Sequence, residues 1–193
     1  MGRPRMRIDR VVEAALEILD EDGADALSMR ALARRLDSST ATLYRHFPNR
    51  AALVGAVIDR VLAEIDVETR TGPWQQNCHR IATSYFETLR RHRGVSALLA
   101  DHTPVGPNAA AVVERWLATL LDDGFPVLLA ARSGAMISSY VQGFAMQLAG
   151  HRAGTGSDEH ELPAAARRLD PRDYPATATA IRAGIAPLSL EDE

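Results

Sequence analysis

Side chains suited to nucleic acid are concentrated in one short stretch of the chain. Residues 40–46 hold two threonine hydroxyls, a phenol, a guanidinium and an imidazole, at Thr40, Thr42, Tyr44, Arg45 and His46. Hydroxyl and basic side chains make most protein contacts to phosphate oxygens. Arginine is also the side chain that most often reads guanine in the major groove. The stretch is therefore a candidate nucleic-acid-binding surface.

The surrounding sequence predicts two short helices joined by a tight turn over residues 28–50. Ser28 and Ser39 are placed to cap the two helices, because a serine hydroxyl accepts from free N–H groups of the first turn. Apolar pairs at i, i+4 give each helix one buried side and one polar side. These pairs are Leu32 with Leu36 and Leu43 with Phe47.

Charge distinguishes this stretch from a small solvated helical hairpin, which is the simpler interpretation. Residues 26–50 carry five arginines and one acid, Asp37, whereas the whole chain has a net charge of −3. The arginines are Arg30, Arg34, Arg35, Arg45 and Arg50. One compact basic element in an acidic protein favours binding of a polyanion there.

The runs LSMRALA (27–33) and STATLYRHFPNR (39–50), five residues apart, closely resemble a known signature. It is the helix-turn-helix of the TetR family of one-component bacterial transcriptional regulators, and the match extends from about Arg7 to Ala56. The family usually has glycine in the turn, where this chain has Asp37. Aspartate is among the few residues that tolerate a left-handed conformation. We expect the fold to survive and the carboxylate to lower DNA affinity.

The resemblance implies a role for each matching residue. Four residues would face bases: Arg30, Thr40, Ala41 and Arg45. Four would hold phosphates: Thr42, Tyr44, His46 and Arg50. Apart from the resemblance, Arg3, Arg5 and Arg7 form a short basic arm before the first helix. A disordered tail is the simpler interpretation, and on DNA the arm would lie along phosphates or in the minor groove. A two-fold dimer would then bind double-stranded DNA at an operator with inverted-repeat half-sites.

Composition predicts a globular protein of one or two compact units, with 193 residues, 46% apolar and 24% charged. The single cysteine, Cys78, is interpreted as a small core side chain. No apolar run approaches the roughly 20 residues of a membrane span, so we expect no membrane partner and a cytoplasmic location.

Helical periodicity throughout the chain predicts an all-α protein in two parts. The resemblance implies that residues 1–48 are a three-helix DNA-binding domain and residues 49–193 a helical effector-binding and dimerisation domain. A connecting helix over 49–69 would join them, with a wide apolar stripe for two sets of neighbours. Further helices are predicted over 74–93, 95–100, 108–123, 126–151, 164–169 and 176–183, with a loop over 152–161 and a frayed tail from Pro187.

A second, weaker resemblance covers the carboxy-terminal part. The segments Trp74–Gln75, Arg91–Gly94, Asp123–Phe125 and Val141–Gly143 are similar to the effector domain of the tetracycline-repressor branch of the same family. In that branch the long penultimate helix and the last helix form a four-helix bundle with a partner subunit. A stripe of small residues on the helix over 126–151, including Ala130, Gly134, Ser138 and Ala145, agrees with such a homodimer.

The same resemblance implies a small-molecule effector, of unknown identity, in a cavity among the helices over 74–151. The candidate lining residues are Tyr85, His102, Thr103, Trp116, Ile137 and Ser138, and each is alternatively ordinary core or loop. Ile81 replaces the polar group that captures tetracycline, so a more apolar effector is expected. A regulator controlled by a protein partner, without a ligand pocket, is the alternative.

An enzyme is the rival class, and the sequence does not favour it. The chain has no His-Glu-x-x-His, no Gly-x-Ser-x-Gly and no phosphate-binding glycine loop. His79, His92 and His102 are the histidines that would have to cluster for a metal or acid–base site. We expect no catalytic residues, no metal and no cofactor.

Overall fold

The computed structural model describes residues 8–68, 72–154 and 170–182, with side chains placed for 8–68, 72–148 and 170–179. Within these ranges the chain is helical and has no strand. The helices are α1 (Ile8–Asp22), α2 (Met29–Arg35), α3 (Thr40–Tyr44), α4 (Arg50–Leu62), α5 (Trp74–Arg91), α6 (Arg93–Leu98), α7 (Pro107–Leu121), α8 (Val127–Gly154) and α9 (Pro175–Arg182). The predicted fold class, all-α with a helix-turn-helix at the amino terminus, is confirmed.

The predicted caps and turn of the helix-turn-helix are confirmed. Ser28 Oγ accepts from Ala31 N at 3.1 Å, and Ser39 Oγ accepts from Thr42 N at 3.2 Å. Asp37 has φ 45°, the left-handed conformation that its place in the turn requires. The second helix is short, since regular α-helix ends at Tyr44 and residues 45–46 form a turn.

The helix-turn-helix is stabilised by one face of each of its helices. Val11 and Ala15 of α1, Leu32 of α2 and Leu43 of α3 are fully buried. Phe47, which follows α3, is 6% exposed, so the predicted core role of Leu43 and Phe47 is confirmed. These apolar contacts leave the polar side of α3 on the surface.

The connecting helix is shorter than predicted: α4 ends at Leu62 rather than near residue 69. Its predicted stripes are buried, including Leu53, Val57 and Ile65, although Ile65 lies past the helix end. Past the helix end, Glu64 N and Ile65 N bond to carbonyls three residues earlier, as in a tighter turn, and Asp66 N donates to Ser84 Oγ of α5 at 2.8 Å. Apolar periodicity continued beyond the helix, so it gave no signal for the end.

The inner face of α5 is buried as predicted, with Cys78, Ile81, Tyr85 and Leu89 all at most 6% exposed. Burial raises the pKa of the Cys78 thiol, which agrees with its interpretation as a core side chain.

The predicted small-residue stripe of α8 does not form a free surface for another helix. Ala130 is fully buried and Ala145 is 5% exposed. A Cβ added to Gly134 would lie 3.2 Å from Trp116 Cβ, so α7 of the same chain already lies against this stripe. The small residues therefore serve close packing within the subunit, which corrects the sequence-based interpretation.

The chain divides into two compact units, Met1–Ala153 and Gly154–Glu193, and α9 belongs to the second. The helix predicted over 176–183 is found as α9, whereas the helix over 164–169 and the tail from Pro187 lie outside the described residues. Residues 152–154, predicted as the start of a loop, still belong to α8. The functional boundary between residues 48 and 49 remains a proposal.

Candidate DNA-binding surface and effector domain

The exposed side of the helix-turn-helix carries several of the residues predicted to touch DNA. Arg30, Ala41, Tyr44 and Arg45 are exposed, and Tyr44 is 51% exposed although it is aromatic. Arg34 is also exposed, and it lies one turn after Arg30 on the same face of α2. The prediction omitted Arg34, and its i, i+4 spacing from Arg30 was the signal that could have found it.

The local charge available to a polyanion is smaller than the sequence count indicated. Arg35 turns back onto α1, where its two terminal nitrogens donate to Glu21 at 2.8 and 2.7 Å and its Nε donates to Glu17 at 3.1 Å. The hydrogen bond from Arg35 lowers the pKa of Glu21, and the hydrogen bond to Glu21 raises the pKa of Arg35. Arg35 therefore joins α2 to α1.

Arg50 is also used within the protein. Its Nε donates to Leu27 O at 3.1 Å and its Nη2 donates to Ala24 O at 3.3 Å. These carbonyls belong to the first residue of the 3₁₀ turn Ala24–Ala26, between α1 and α2, and to Leu27, which follows the turn. Arg50 thus ties the start of α4 to the helix-turn-helix. Within the described residues, Arg30, Arg34 and Arg45 make no ion pair.

The remaining predicted DNA contacts have mixed environments. Thr40, Thr42 and His46 are partly buried. Thr42 Oγ1 lies 3.0 Å from Ser39 Oγ, so this hydroxyl also supports the cap of α3. Arg3 and Arg5, predicted to form an arm on DNA, lie outside the described residues.

The His92 side chain connects the effector domain to α1 and to the segment that follows α4. His92 lies between α5 and α6, with Nδ1 3.0 Å from Asp20 Oδ2 and Nε2 3.2 Å from Glu64 Oε2. Arg91 Nη2 lies 3.3 Å from the same Glu64 oxygen. Acidic side chains at the carboxy-terminal end of α1 interact unfavourably with the helix dipole. Two of them, Asp20 and Glu21, have basic partners in His92 and Arg35.

The contact between α6 and α1 is also close at the backbone. A Cβ on Gly94 of α6 would collide with Leu19 O and would lie 2.9 Å from Leu19 Cβ. A shift of α6 therefore displaces α1 directly, because two packed backbones cannot interpenetrate.

The six predicted effector-lining residues have different environments. Tyr85 is 2% exposed, and its phenol oxygen accepts from Gln142 Nε2 of α8 at 2.7 Å. Burial raises the pKa of Tyr85 to about 12, although the hydrogen bond from Gln142 acts in the opposite direction. Ile137 is half-buried against the core, and Ser138 is half-buried too.

His102 and Thr103 lie apart from that group. They line an open cleft of about 620 Å³ between α4 and the segment 101–107, whose lining also includes Asp59 and Val105. His102 Nδ1 lies 3.1 Å from Leu98 O. Because a carbonyl only accepts, Nδ1 carries the proton in this contact.

Three buried side-chain atoms on α7 have no hydrogen-bond partner among the described residues: Arg115 Nε, Trp116 Nε1 and Thr119 Oγ1. The side chains of Trp116 and Thr119 are the most buried of the three, at 2% and 4% exposed. The two residues are three positions apart and lie on one face of the helix. An unsatisfied buried polar group costs roughly 1–3 kcal/mol, so these groups are candidates for contact with a ligand. Thr119 was missed by the sequence analysis, because an isolated threonine in an apolar helix gives no signal.

An apolar stripe on α8 is exposed. Leu129, Met136 and Tyr140 are 49%, 72% and 49% exposed and fall on one side of the helix. Exposed apolar stripes of this kind mark protein interfaces. Among the side chains that the structure describes, this side of α8 is more exposed than the small-residue side.

The three histidines discussed for a metal site have different neighbours. His79 lines a polar cleft of about 870 Å³ with Arg80 and Ser84, whereas His92 lies at Glu64 and His102 at Leu98. No group of three or more possible ligands suited to a metal ion occurs in the described parts of the chain. Among these residues no helix is both long enough and apolar enough to span a membrane.

Comparisons with known proteins agree with this architecture. Residues 11–57 match the family described as bacterial regulatory proteins, tetR family, and residues 68–192 match the tetracyclin repressor-like C-terminal domain. An HTH-type transcriptional regulator of Saccharopolyspora erythraea is 31% identical over 91% of this chain and 75% of its own length.

Two solved structures are similar as well. Apo ActR from Streptomyces coelicolor has a TM-score of 0.84 at 31% identity and covers 97% of this chain and 88% of its own. BioQ, solved with its double-stranded DNA operator, has a TM-score of 0.67 at 28% identity, over 77% of this chain and 89% of its own. With a helix-turn-helix at one end and a helical effector domain after it, the chain belongs to the TetR family of bacterial transcriptional regulators.

Proposed function

We propose that this regulator is a homodimeric repressor that binds an inverted-repeat operator and is released from it by a small, largely apolar effector. The observation that carries the DNA-binding part is the exposed face of α2 and α3, where Arg30, Arg34 and Arg45 have no acidic partner among the described residues. Unpaired arginines on a helix-turn-helix suit phosphates and guanine edges. BioQ, which shares the fold, binds a double-stranded operator.

Each residue of this face has a proposed task. Arg30, Thr40, Ala41 and Arg45 face base edges, and Thr42, Tyr44, His46 and Arg34 hold phosphates. Arg3 and Arg5 extend the contact beyond α1. The contacts of Arg50 with Leu27 O and Ala24 O support a further task, which is to fix α4 against the helix-turn-helix. A DNA-binding regulator works where the DNA is, so the proposed location is the cytoplasm.

Dimerisation is proposed through the apolar stripe of α8, Leu129, Met136 and Tyr140. A second copy would bury these side chains, and burial of apolar area contributes about 25 cal/mol per Å². The two-fold arrangement then places two α3 helices on successive major grooves.

The effector is proposed to be an uncharged molecule that carries a hydrogen-bond acceptor. Trp116 Nε1 can only donate, and both Trp116 and Thr119 lack a partner. The buried Tyr85 and Gln142 pair supplies further polar atoms between α5 and α8. ActR has been solved with actinorhodin and with (S)-DNPA, so actinorhodin is the first probe to use here. Ile81, 2% exposed, argues against tetracycline.

A regulator that answers to a protein partner is the second candidate. It is favoured by the burial of Tyr85 and Trp116, each 2% exposed, whereas His102 and Thr103 line an open cleft. An effector that contacts Tyr85 or Trp116 must open the packed core before it binds, which costs free energy.

The first test is selection of duplexes from a random double-stranded DNA pool at low salt. We expect an enriched inverted repeat whose binding is lost in Arg45→Ala and kept in Arg90→Ala, since Arg90 is exposed on α5 and paired with Glu87. No enrichment would refute the DNA-binding part of the proposal.

The second test adds actinorhodin to the complex with the selected duplex. Release of DNA together with a higher melting temperature supports a small-molecule effector, and Trp116→Phe should weaken both effects because the donor is removed. If actinorhodin and a panel of apolar compounds change neither, the protein-partner candidate takes its place.

A further inference from the structure

A buried carboxylate on α4 caps a helix of the effector domain. Asp59 is 9% exposed, and its Oδ1 accepts from Ala109 N at 2.9 Å. Its Oδ2 accepts from Asn108 Nδ2 at the same distance. Both donors lie in the first turn of α7, so Asp59 performs the task of an N-cap residue from a different helix.

The amino terminus of α7 depends on this distant cap. The residue in the N-cap position is Gly106, which has no side chain with which to cap the helix. Pro107 has no N–H, and Ala110 N bonds to Gly106 O, so Ala109 N is a free donor that needs an acceptor. A Cβ on Gly106 would lie within 2.8 Å of the Asp59 carboxylate. Glycine therefore leaves the room that the carboxylate occupies.

The carboxylate also suits the electrostatics of this position. The amino end of a helix carries partial positive charge, and α7 has no acid in its own first turn. Burying a charge without partners is costly, so α4 is held in the orientation that keeps Asp59 on α7. Separation of the two helices would leave a buried carboxylate and a buried N–H unsatisfied.

The other end of α4 is fixed to the DNA-binding domain. Asn49 Oδ1 caps α4 by accepting from Ala52 N at 2.8 Å, and Arg50 bonds to Leu27 O and Ala24 O. One helix thus connects the 3₁₀ turn beside α2 with the amino terminus of α7. The same α7 carries Trp116 and Thr119, two and three turns further along.

We propose that Asp59 is the positioning residue through which α7 sets the orientation of α4, and thereby the affinity of the helix-turn-helix for DNA. The inference rests on the proposed function and specifies its regulation. Coupling between two sites is reciprocal. Operator binding should therefore stabilise the first turn of α7, and this effect can be measured without an effector.

The test compares three variants of the full-length chain with the wild type. Asp59→Ala removes the cap. Combining Asp59→Asn with Asn108→Asp exchanges the two side chains, so that an amide oxygen accepts from Ala109 N and an amide N–H donates to a carboxylate on α7. Ser96→Ala is the matched control, because it removes a buried bond from Ser96 Oγ to Leu89 O, 2.9 Å long, that joins α6 to α5 and involves no residue of α4 or α7.

The measurement is amide hydrogen exchange of residues 106–112 with and without the selected operator duplex, together with operator affinity and melting temperature. In the wild type the operator should slow exchange at this turn. Asp59→Ala should abolish the slowing and weaken operator binding roughly tenfold, as expected when buried polar groups lose their partners. The exchanged pair should restore both, and Ser96→Ala should keep both.

Three results separate the possible failures. If the wild-type chain selects no operator, the proposed function fails first. If the operator binds but exchange at 106–112 does not respond, or responds equally in Asp59→Ala, the coupling does not pass through Asp59. If Ser96→Ala weakens operator binding as much as Asp59→Ala at a matched loss of melting temperature, the effect is general destabilisation and the inference is overturned.

Discussion

The division of the basic residues into free and internally paired arginines predicts which of them contribute to DNA affinity. Arg34 and Arg35 are neighbours in sequence, yet Arg34 is exposed without an ion pair in the described residues and Arg35 bonds to Glu17 and Glu21. We expect Arg34→Ala to reduce the salt dependence of operator binding. Arg35→Ala should lower the melting temperature and leave the salt dependence nearly unchanged.

The expected magnitude follows from counterion release. Each phosphate contact contributes about 0.9 to the slope of log affinity against log salt, so removal of Arg34 from both subunits lowers the slope by about 1.8. Between roughly 50 and 200 mM salt, the wild type should therefore lose about twelvefold more affinity than Arg34→Ala. Fluorescence anisotropy with the selected duplex at four salt concentrations gives both slopes.

The outcome can contradict the reasoning in two ways. Equal slope changes in Arg34→Ala and Arg35→Ala would mean that Arg35 leaves Glu21 when DNA binds. An unchanged slope in Arg34→Ala would mean that this arginine does not reach a phosphate. The melting temperatures in the absence of DNA should still differ, because Arg35 is ion-paired with α1 and Arg34 has no ion pair among the described residues.

Three further predictions concern stability and assembly. Gly94→Ala should cost about 1–3 kcal/mol through overpacking against Leu19, which calorimetry would report as a fall of roughly 2–4 °C per kcal/mol; an unchanged melting temperature would show that α6 and α1 separate freely. Spectrophotometric titration should show one tyrosine ionising near pH 12, absent in Tyr85→Phe. Because burial raises the folded-state pKa of Tyr85, the contribution of this group to the free energy of unfolding is fully present below the unfolded pKa of about 10. It is lost as pH rises through the folded-state pKa. Met136→Arg should yield monomers by sedimentation, whereas Val105→Arg, at a position 75% exposed, should stay dimeric; the reverse would exclude the α8 face.

Much of the helix-turn-helix was predictable because its signals are local. The caps at Ser28 and Ser39 and the turn at Asp37 depend on a few neighbouring residues, and the structure has all three as expected. The core roles of Leu43 and Phe47 follow from helical spacing within a single turn.

The partners of charged groups were decided by the tertiary structure alone. Arg34 and Arg35 are indistinguishable in sequence, and only the placement of α1 beside α2 assigns the second one to Glu17 and Glu21. Sequence periodicity also predicted a longer α4 than the structure has, because Ile65 is still buried after the helix has ended.

The sequence by itself determined the family, the helical class and the location of the helix-turn-helix, because these depend on residue types at fixed short spacings. The tertiary structure decided which face of α8 is more exposed, which polar groups of α7 are unsatisfied, and that Asp59 caps a helix 50 residues further along the chain. Such contacts depend on where separate helices meet in space, and no local periodicity encodes that.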